Sequence, residues 1–329
     1  MHPAALQAAG LRVPQAAARG WGTSMSLRTC VILVLALVLI PSTVATAQEM
    51  EPRAFSPAPV GMQFAALVYG HSEGDLVFDP SLPIEDADAS VDSLALGYVG
   101  VFGLGGMTAR VGAVLPWADG TATGLVSGAP RRRDVTGLGD PRLVASLLFY
   151  GAPALTPAEF AKREKGPVAG ISVQLGVPLG EYDSDYAINI GSNRWNARAI
   201  LGASVQRDHW IFEGAAGVSV STDNDDYYGG KLLEQDPIYA VQAHVVRELR
   251  RRGSWLAFDA TWYWGGRTST NGVPSSIEQN NTRLGLTYTR PLTARQSLKV
   301  AVATGVITEG GTDFDQIQVA YQASFLPKR

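Results

Sequence analysis

Residues able to do chemistry are few in this chain and stand mostly apart. Of its four histidines, His2 is near the start, His71 and His209 fall at the ends of alternating segments, and His244 shares a polar face with Gln242. A lipid hydrolase built from His, Ser and Asn at a membrane rim would need a serine two residues from that histidine, which would draw its proton and make it a nucleophile. Positions 242 and 246 are Gln and Val, so His244 reads as an interior polar group bonded to its neighbours. Asp223-Asn224-Asp225-Asp226, with Asp183 and Asp185, could offer oxygens to a hard cation, which wants roughly six to eight of them. Tyr227 and Tyr228 interrupt the calcium-loop spacing before Gly229, and hydrated turn residues are the better reading. Gly103-Leu-Gly-Gly106 has neither the helix nor the Lys-Ser/Thr of a phosphate loop and reads as a hairpin turn. The single cysteine, Cys30, leaves the rest of the chain with no disulfide, thiol nucleophile or thiolate metal ligand. No catalytic, cofactor or metal site is expected.

Charge is the more suggestive pattern. Arg110, Arg142, Arg194, Arg198, Arg283 and Lys299 lie on the polar faces of their segments, as do Glu213, His244 and Asp259. If those faces line an interior, buried charge should pair, and Glu213 and Asp259 are expected to bridge to Arg. The surplus of cations would then either attract an anionic solute, as charged rings do in selective pores, or simply brace and solvate a wall.

The elements that carry these residues alternate with period two. Twelve segments, near 62–70, 92–103, 107–117, 140–150, 167–178, 193–206, 209–221, 237–248, 254–265, 281–290, 296–307 and 315–326, are bounded by Gly, Pro, Asn and Asp. In one, Trp195, Ala197, Ala199, Leu201, Ala203 and Val205 oppose Arg194, Asn196, Arg198, Ser204 and Gln206; in another, Ile317, Val319, Tyr321, Ala323 and Phe325 oppose Gln316, Gln318, Gln322 and Ser324. Strands of roughly 9 to 11 residues cross a bilayer when tilted, whereas strands of soluble sandwiches run to about 5 or 6. No run of 18 apolar residues follows Met62, so helical spans are not expected. The connections alternate in length. Those at 71–91, 118–139, 179–192, 222–236, 266–280 and 308–314 are read as outer loops, and 104–106, 151–166, 207–208, 249–253 and 291–295 as inner turns. The long inner connection 151–166 reads as a helical excursion. Trp117, Tyr150, Trp195, Trp210, Tyr239, Trp255, Trp262, Trp264 and Phe325 gather near segment ends, where interfacial girdles place aromatics. The fold class expected is all-β, an antiparallel transmembrane barrel of about twelve strands over 62–326 in the outer membrane of a Gram-negative-type envelope, with outer-membrane lipid as its solvent.

Residues 1–47 read as a cleaved signal peptide: no acid, a basic start, the apolar run Val31–Ile40 and a small-residue Ala45-Thr-Ala47 site. Met25 is an alternative start. Residues 48–61, rich in Pro, read as a flexible lead-in. Removing Arg12, Arg19 and Arg28 from the 27 basic residues leaves 24 against 30 acidic, which excludes a nucleic-acid binder. The aromatic Phe325 near the end suits recognition by the outer-membrane assembly machinery, although Leu-Pro-Lys-Arg follows it.

Gly137-Leu-Gly-Asp-Pro141, Val177-Pro-Leu-Gly-Glu-Tyr182, Ile188-Asn-Ile-Gly-Ser-Asn-Arg-Trp195, Thr222-Asp-Asn224 with Tyr228-Gly-Gly230, and Tyr263-Trp-Gly-Gly266 before Asn271-Gly272 resemble, in order and spacing, motifs of the transporter family named for the meta-pathway of phenol degradation. The likeness covers most of 91–326. It implies an outer-membrane barrel for passive uptake of small hydrophobic or aromatic compounds, and it supplies no ligand residues. A plugged structural or adhesive barrel binding a partner through its outer loops is the alternative, and an outer-membrane lipid hydrolase a further one.

Overall fold

The computed structural model describes residues 51–77, 83–251 and 253–326; the expected signal peptide lies outside them, as do residues 48–50 of the expected lead-in. In chain order the strands are β1 (Gln63–Val77), β2 (Ile84–Leu104), β3 (Met107–Val126), β4 (Ala129–Leu138), β5 (Arg142–Pro153), β6 (Val168–Gly176), β7 (Asn196–Arg207), β8 (Trp210–Ser221), β9 (Asn224–Tyr227), β10 (Lys231–Gln235), β11 (Ile238–Glu248), β12 (Trp255–Gly265), β13 (Thr268–Thr270), β14 (Val273–Pro274), β15 (Gln279–Pro291), β16 (Gln296–Ile307) and β17 (Gly311–Phe325).

Twelve of them form one antiparallel sheet that closes on itself: β1-β2-β3-β5-β6-β7-β8-β11-β12-β15-β16-β17 and back to β1. The seam pairs Gln63 with Phe325 through to Val77 with Gly311 without a register shift. Closure is required because hydrocarbon offers no partner to a backbone N–H or C=O at an open edge. Each of the twelve alternating segments is one of these strands.

Several strands outrun the expected segments. β1 continues to Val77, β2 begins at Ile84, and β3 runs on to Val126. In these extensions the outward face stops being apolar, so the lipid pattern ends while backbone pairing continues as hydrated hairpin. Most of the expected loop 118–139 is therefore the β3–β4 hairpin. The connections 222–236 and 266–280 are also not simple loops. They pair as a four-stranded sheet, β14-β13-β10-β9, whose Asn271-Gly272 turn has both φ positive (50° and 75°), the geometry that suits Asn-Gly in a two-residue hairpin. The excursion between β5 and β6 holds one short helix, Pro157–Phe160, capped by Thr156 and Glu159 in a reciprocal capping box.

Outward side chains form the lipid face: Leu67, Leu96, Val111, Leu143, Leu201, Val241, Phe258 and Leu286 are all exposed. Aromatic rings mark both borders. Trp262 and Trp264 stack at 4.5 Å with Tyr239 beside them at the long-loop end, and Trp210 stacks on Phe212 at the short-turn end. Trp255 is a correction. It shares strand parity with Asp259 and Thr261, points inward at 9% exposure, and packs on Ile211, Val246 and Ala257 instead of joining a girdle.

Candidate functional site

The barrel interior is built from the inward half of each alternation, and its two sides differ. Along β7 to β15 the inward face holds a buried polar set, Arg198, Glu213, Gln242, His244, Thr261, Asn281, Arg283 and Thr287, flanked by buried apolar residues such as Ile200, Val246 and Ala257. Along β16, β17, β1, β2 and β3 the inward residues are mixed: Ala301, Ala303, Ala66, Val68, Ala95, Val99 and Val114 are small or apolar and partly open, and they stand beside Gln318, Gln322, Lys299 and Arg110. The side from β16 to β3 is thus the more open one, and the side from β7 to β15 is packed against itself.

Within the polar wall, strand register puts His244 opposite both Glu213 and Asp259. His244 Nδ1 lies 2.8 Å from Asp259 Oδ1, and Thr287 Oγ1 donates to Asp259 Oδ2 at 2.9 Å. Arg198 donates to Gln242 Oε1 at 3.4 Å, and Arg283 to the Phe314 carbonyl at 2.7 Å. Asp259 is held by His244 and Thr287, and Glu213 accepts the backbone N–H of Arg53. Nε2 of His244 has no hydrogen-bond partner among the described residues.

The short-turn end is closed by residues 51–61. The expectation of a flexible lead-in is corrected here. Three prolines, Pro52, Pro57 and Pro59, remove backbone donors that would otherwise need partners, and the Phe55 side chain is 1% exposed. Arg110 donates to the carbonyls of Ala54 and Ser56, on either side of Phe55. Val60 N–H donates to the Leu155 carbonyl at 2.8 Å, and the Arg53 guanidinium stands 5.9 Å above the Trp255 ring. Lys299 Nζ reaches Glu51 Oε1 at 2.6 Å, and its positive charge holds that carboxyl below the usual Glu range against the opposing effect of burial. Three of the charged residues expected in the lumen, Arg110, Glu213 and Lys299, therefore serve this segment.

The long-loop end is narrowed by the β6–β7 connection, residues 177–195. Asp140, between β4 and β5, staples both of its ends: Oδ1 accepts Gly180 N–H at 2.9 Å, and Oδ2 accepts Ser192 N–H at 2.9 Å and Ser192 Oγ at 2.6 Å. Gly180 and Gly191 touch backbone to backbone there, leaving no room for a Cβ on either. From this staple the connection crosses the mouth, and Ile188 packs on Ala89, Ala122 and Phe314 of the far wall. Asn224, expected as a hydrated turn residue, is buried: it donates to Tyr182 Oη at 2.9 Å and accepts from Asn193 at 3.0 Å. Burial pushes the Tyr182 phenol up. Arg194 belongs to this mouth and not to the barrel interior, donating to Gln235 Oε1 at 2.7 Å. Arg142 faces the lumen where β5 begins and makes no hydrogen bond or ion pair among the described residues.

Of the missed residues, Phe55 lies outside both segments and motifs, Asp140 opens the segment 140–150 inside Gly137-Leu-Gly-Asp-Pro141, and Ile188 opens the motif Ile188-Asn-Ile-Gly-Ser-Asn-Arg-Trp195.

A family model described as "Putative MetA-pathway of phenol degradation" matches residues 72–314. No curated protein sequence matches. Among solved structures, an outer-membrane channel from Pseudomonas putida F1 is similar over 84% of this chain and 100% of its own, at 23% identity and a TM-score of 0.72, and shares the fold. The β domain of the Bordetella autotransporter BrkA (13% identity, 80% of this chain and 99% of its own, TM-score 0.48) and the P. putida toluene transporter TodX (10%, 88% and 96%, TM-score 0.42) are more distant and carry no argument.

Proposed function

The chain belongs to this phenol-degradation family, and from that premise we propose that it is an outer-membrane channel for passive passage of small hydrophobic or aromatic compounds. One observation carries the reading. Small apolar inward side chains of β16, β1, β2 and β3, among them Ala66, Val68, Val99 and Ala303, are partly open beside the Gln318 and Gln322 amides of β17, which suits a solute with an apolar face and a polar group. The related structure from P. putida F1 is itself an outer-membrane channel. In this reading the short-turn end and residues 51–61 face the periplasm, the final strand addresses the assembly machinery, and the protein catalyses nothing. Arg142 would supply the attraction for an anionic group, the remaining expected cations being engaged in the wall, the mouth or the 51–61 segment.

The segment lodged at the short-turn end and the narrowed mouth also favour the second reading, a plugged barrel that binds a partner through its long loops. Osmotic swelling of liposomes carrying the full-length protein separates the two. Entry of small aromatic solutes at rates above protein-free liposomes is the expected outcome; exclusion of every solute, in the wild type and after deletion of 51–57, would leave the plugged barrel. Reversal potentials in planar bilayers test Arg142: the Arg142→Ala variant should be less anion-preferring than the wild type.

A further inference from the structure

The segment closing the short-turn end is seated in a slot shaped for a single ring. Phe55 is surrounded by Leu148, Ala152, Val168, Ile200 and Ala215. Gly170 and Gly202 are paired directly across β6 and β7, and both face the ring. A Cβ on Gly202 would stand 2.0 Å from Phe55 Cε2, and one on Gly170 would stand 3.0 Å from Cδ1. Glycine weakens a strand interior and often marks a close approach by something else. Two of them in one rung leave a recess in the barrel wall that only a flat group fills. The recess is apolar, but its rim is not: Arg110 donates to the carbonyl oxygens flanking Phe55. The rest of the segment is held by hydrogen bonds, the ion pairs Lys299–Glu51 and Arg53–Glu248, and the Arg53 contact with Trp255, which water replaces in part once the segment leaves.

We propose that this recess is a lumenal binding site for a single-ring aromatic solute bearing an oxygen acceptor, and that Phe55 occupies it in cis as a competitor. The ring of the solute takes the place of the Phe55 ring, its oxygen takes the Arg110 guanidinium from the Ala54 and Ser56 carbonyls, and residues 51–60 leave the lumen. Binding and opening are then one event. The proposal rests on the channel reading for its consequence, but the site itself can be tested without it.

Benzoate is the probe, since it combines ring and acceptor and stays out of detergent micelles. Full-length wild type, Phe55→Ala, and Phe55→Ala with Gly202→Val are compared by calorimetric titration and by single-channel conductance, with heat-modifiable gel mobility confirming the folded barrel. Phe55→Ala should bind benzoate several-fold more tightly than the wild type and conduct several-fold more. Adding Gly202→Val, which refills the recess, should abolish the gain in binding and keep the gain in conductance. Wild-type affinity in Phe55→Ala, or a gain that survives Gly202→Val, overturns the site. Equal conductance in wild type and Phe55→Ala overturns its coupling to opening. Absence of conductance in every variant counts against the channel reading, while the titrations still decide the recess.

Discussion

Asp259 holds two neighbouring strands at once, accepting from Thr287 on one side and facing His244 on the other. His244 is 2% exposed, with water excluded from both ring nitrogens. Replacing Asp259 by Leu strands both partners, and a buried polar group left without its bond costs about 1–3 kcal/mol. The unfolding midpoint of the protein in lipid should fall accordingly. The double variant His244→Leu with Asp259→Leu should recover part of that loss, because an apolar pair leaves fewer unpaired groups behind. A single variant with no loss would remove the polar wall's structural role. Residue by residue, the polar face could be read from sequence because alternation is regular: Arg198, Glu213, His244 and Arg283 are buried, whereas Leu201, Phe212, Val245 and Leu286 on the opposite parity of the same strands are exposed. Their partners could not be read, since a period says which side a residue faces and nothing of what crosses the lumen to meet it. Trp255 had the inward parity too, and that signal should have outweighed its place at a strand end.

Elements that bury apolar area against lipid announce themselves by period, and those that do not are silent. All twelve barrel strands were legible for that reason. The β3–β4 hairpin, the outer sheet and the 51–61 segment were not, because their stability comes from backbone pairing, prolines and contacts with distant residues. The 177–195 connection belongs to this second kind, and Asp140 is its fastener. An Asp140→Ala change removes an acceptor shared by Gly180 and Ser192 while leaving every barrel pairing intact. Each such charged-acceptor bond is worth about 1.5–3 kcal/mol, while the connection's remaining fasteners, Arg133 over the Tyr186 ring and Gly229 N–H on the Ser184 carbonyl, lie farther along it. The expected outcome is proteolytic cleavage within 177–195 and higher conductance, with no shift in barrel unfolding. Continued protease resistance would mean that Ile188 and Asn224 hold the mouth without the staple.

At the scale of the whole molecule, polar and apolar are reversed relative to a soluble protein, and adjacent residues on β12 make the contrast sharp. Phe258 is 50% exposed on the outer face, whereas Asp259, next in the chain, lies inside against His244. In water such an exterior of Leu, Val, Phe and Trp would aggregate; in hydrocarbon it is the stable arrangement, and the closed ladder leaves no edge unpaired. The cost of charge on this face depends on depth: about 2–4 kcal/mol for Arg at the bilayer midplane and about 0–1 near the interface. Phe258 sits near the middle of β12, and Trp262 lies toward the aromatic border stacked on Trp264. Phe258→Arg should therefore destabilise the protein in phospholipid bilayers by the larger amount, and Trp262→Arg by clearly less once the lost ring stacking is allowed for with Trp262→Ala. The same pair measured in thin-chain lipid should converge, because a thinner hydrocarbon layer brings position 258 closer to water. Equal costs at the two depths in a full-thickness bilayer would mean that this face does not meet lipid, and a barrel that does not meet lipid has no membrane to conduct across.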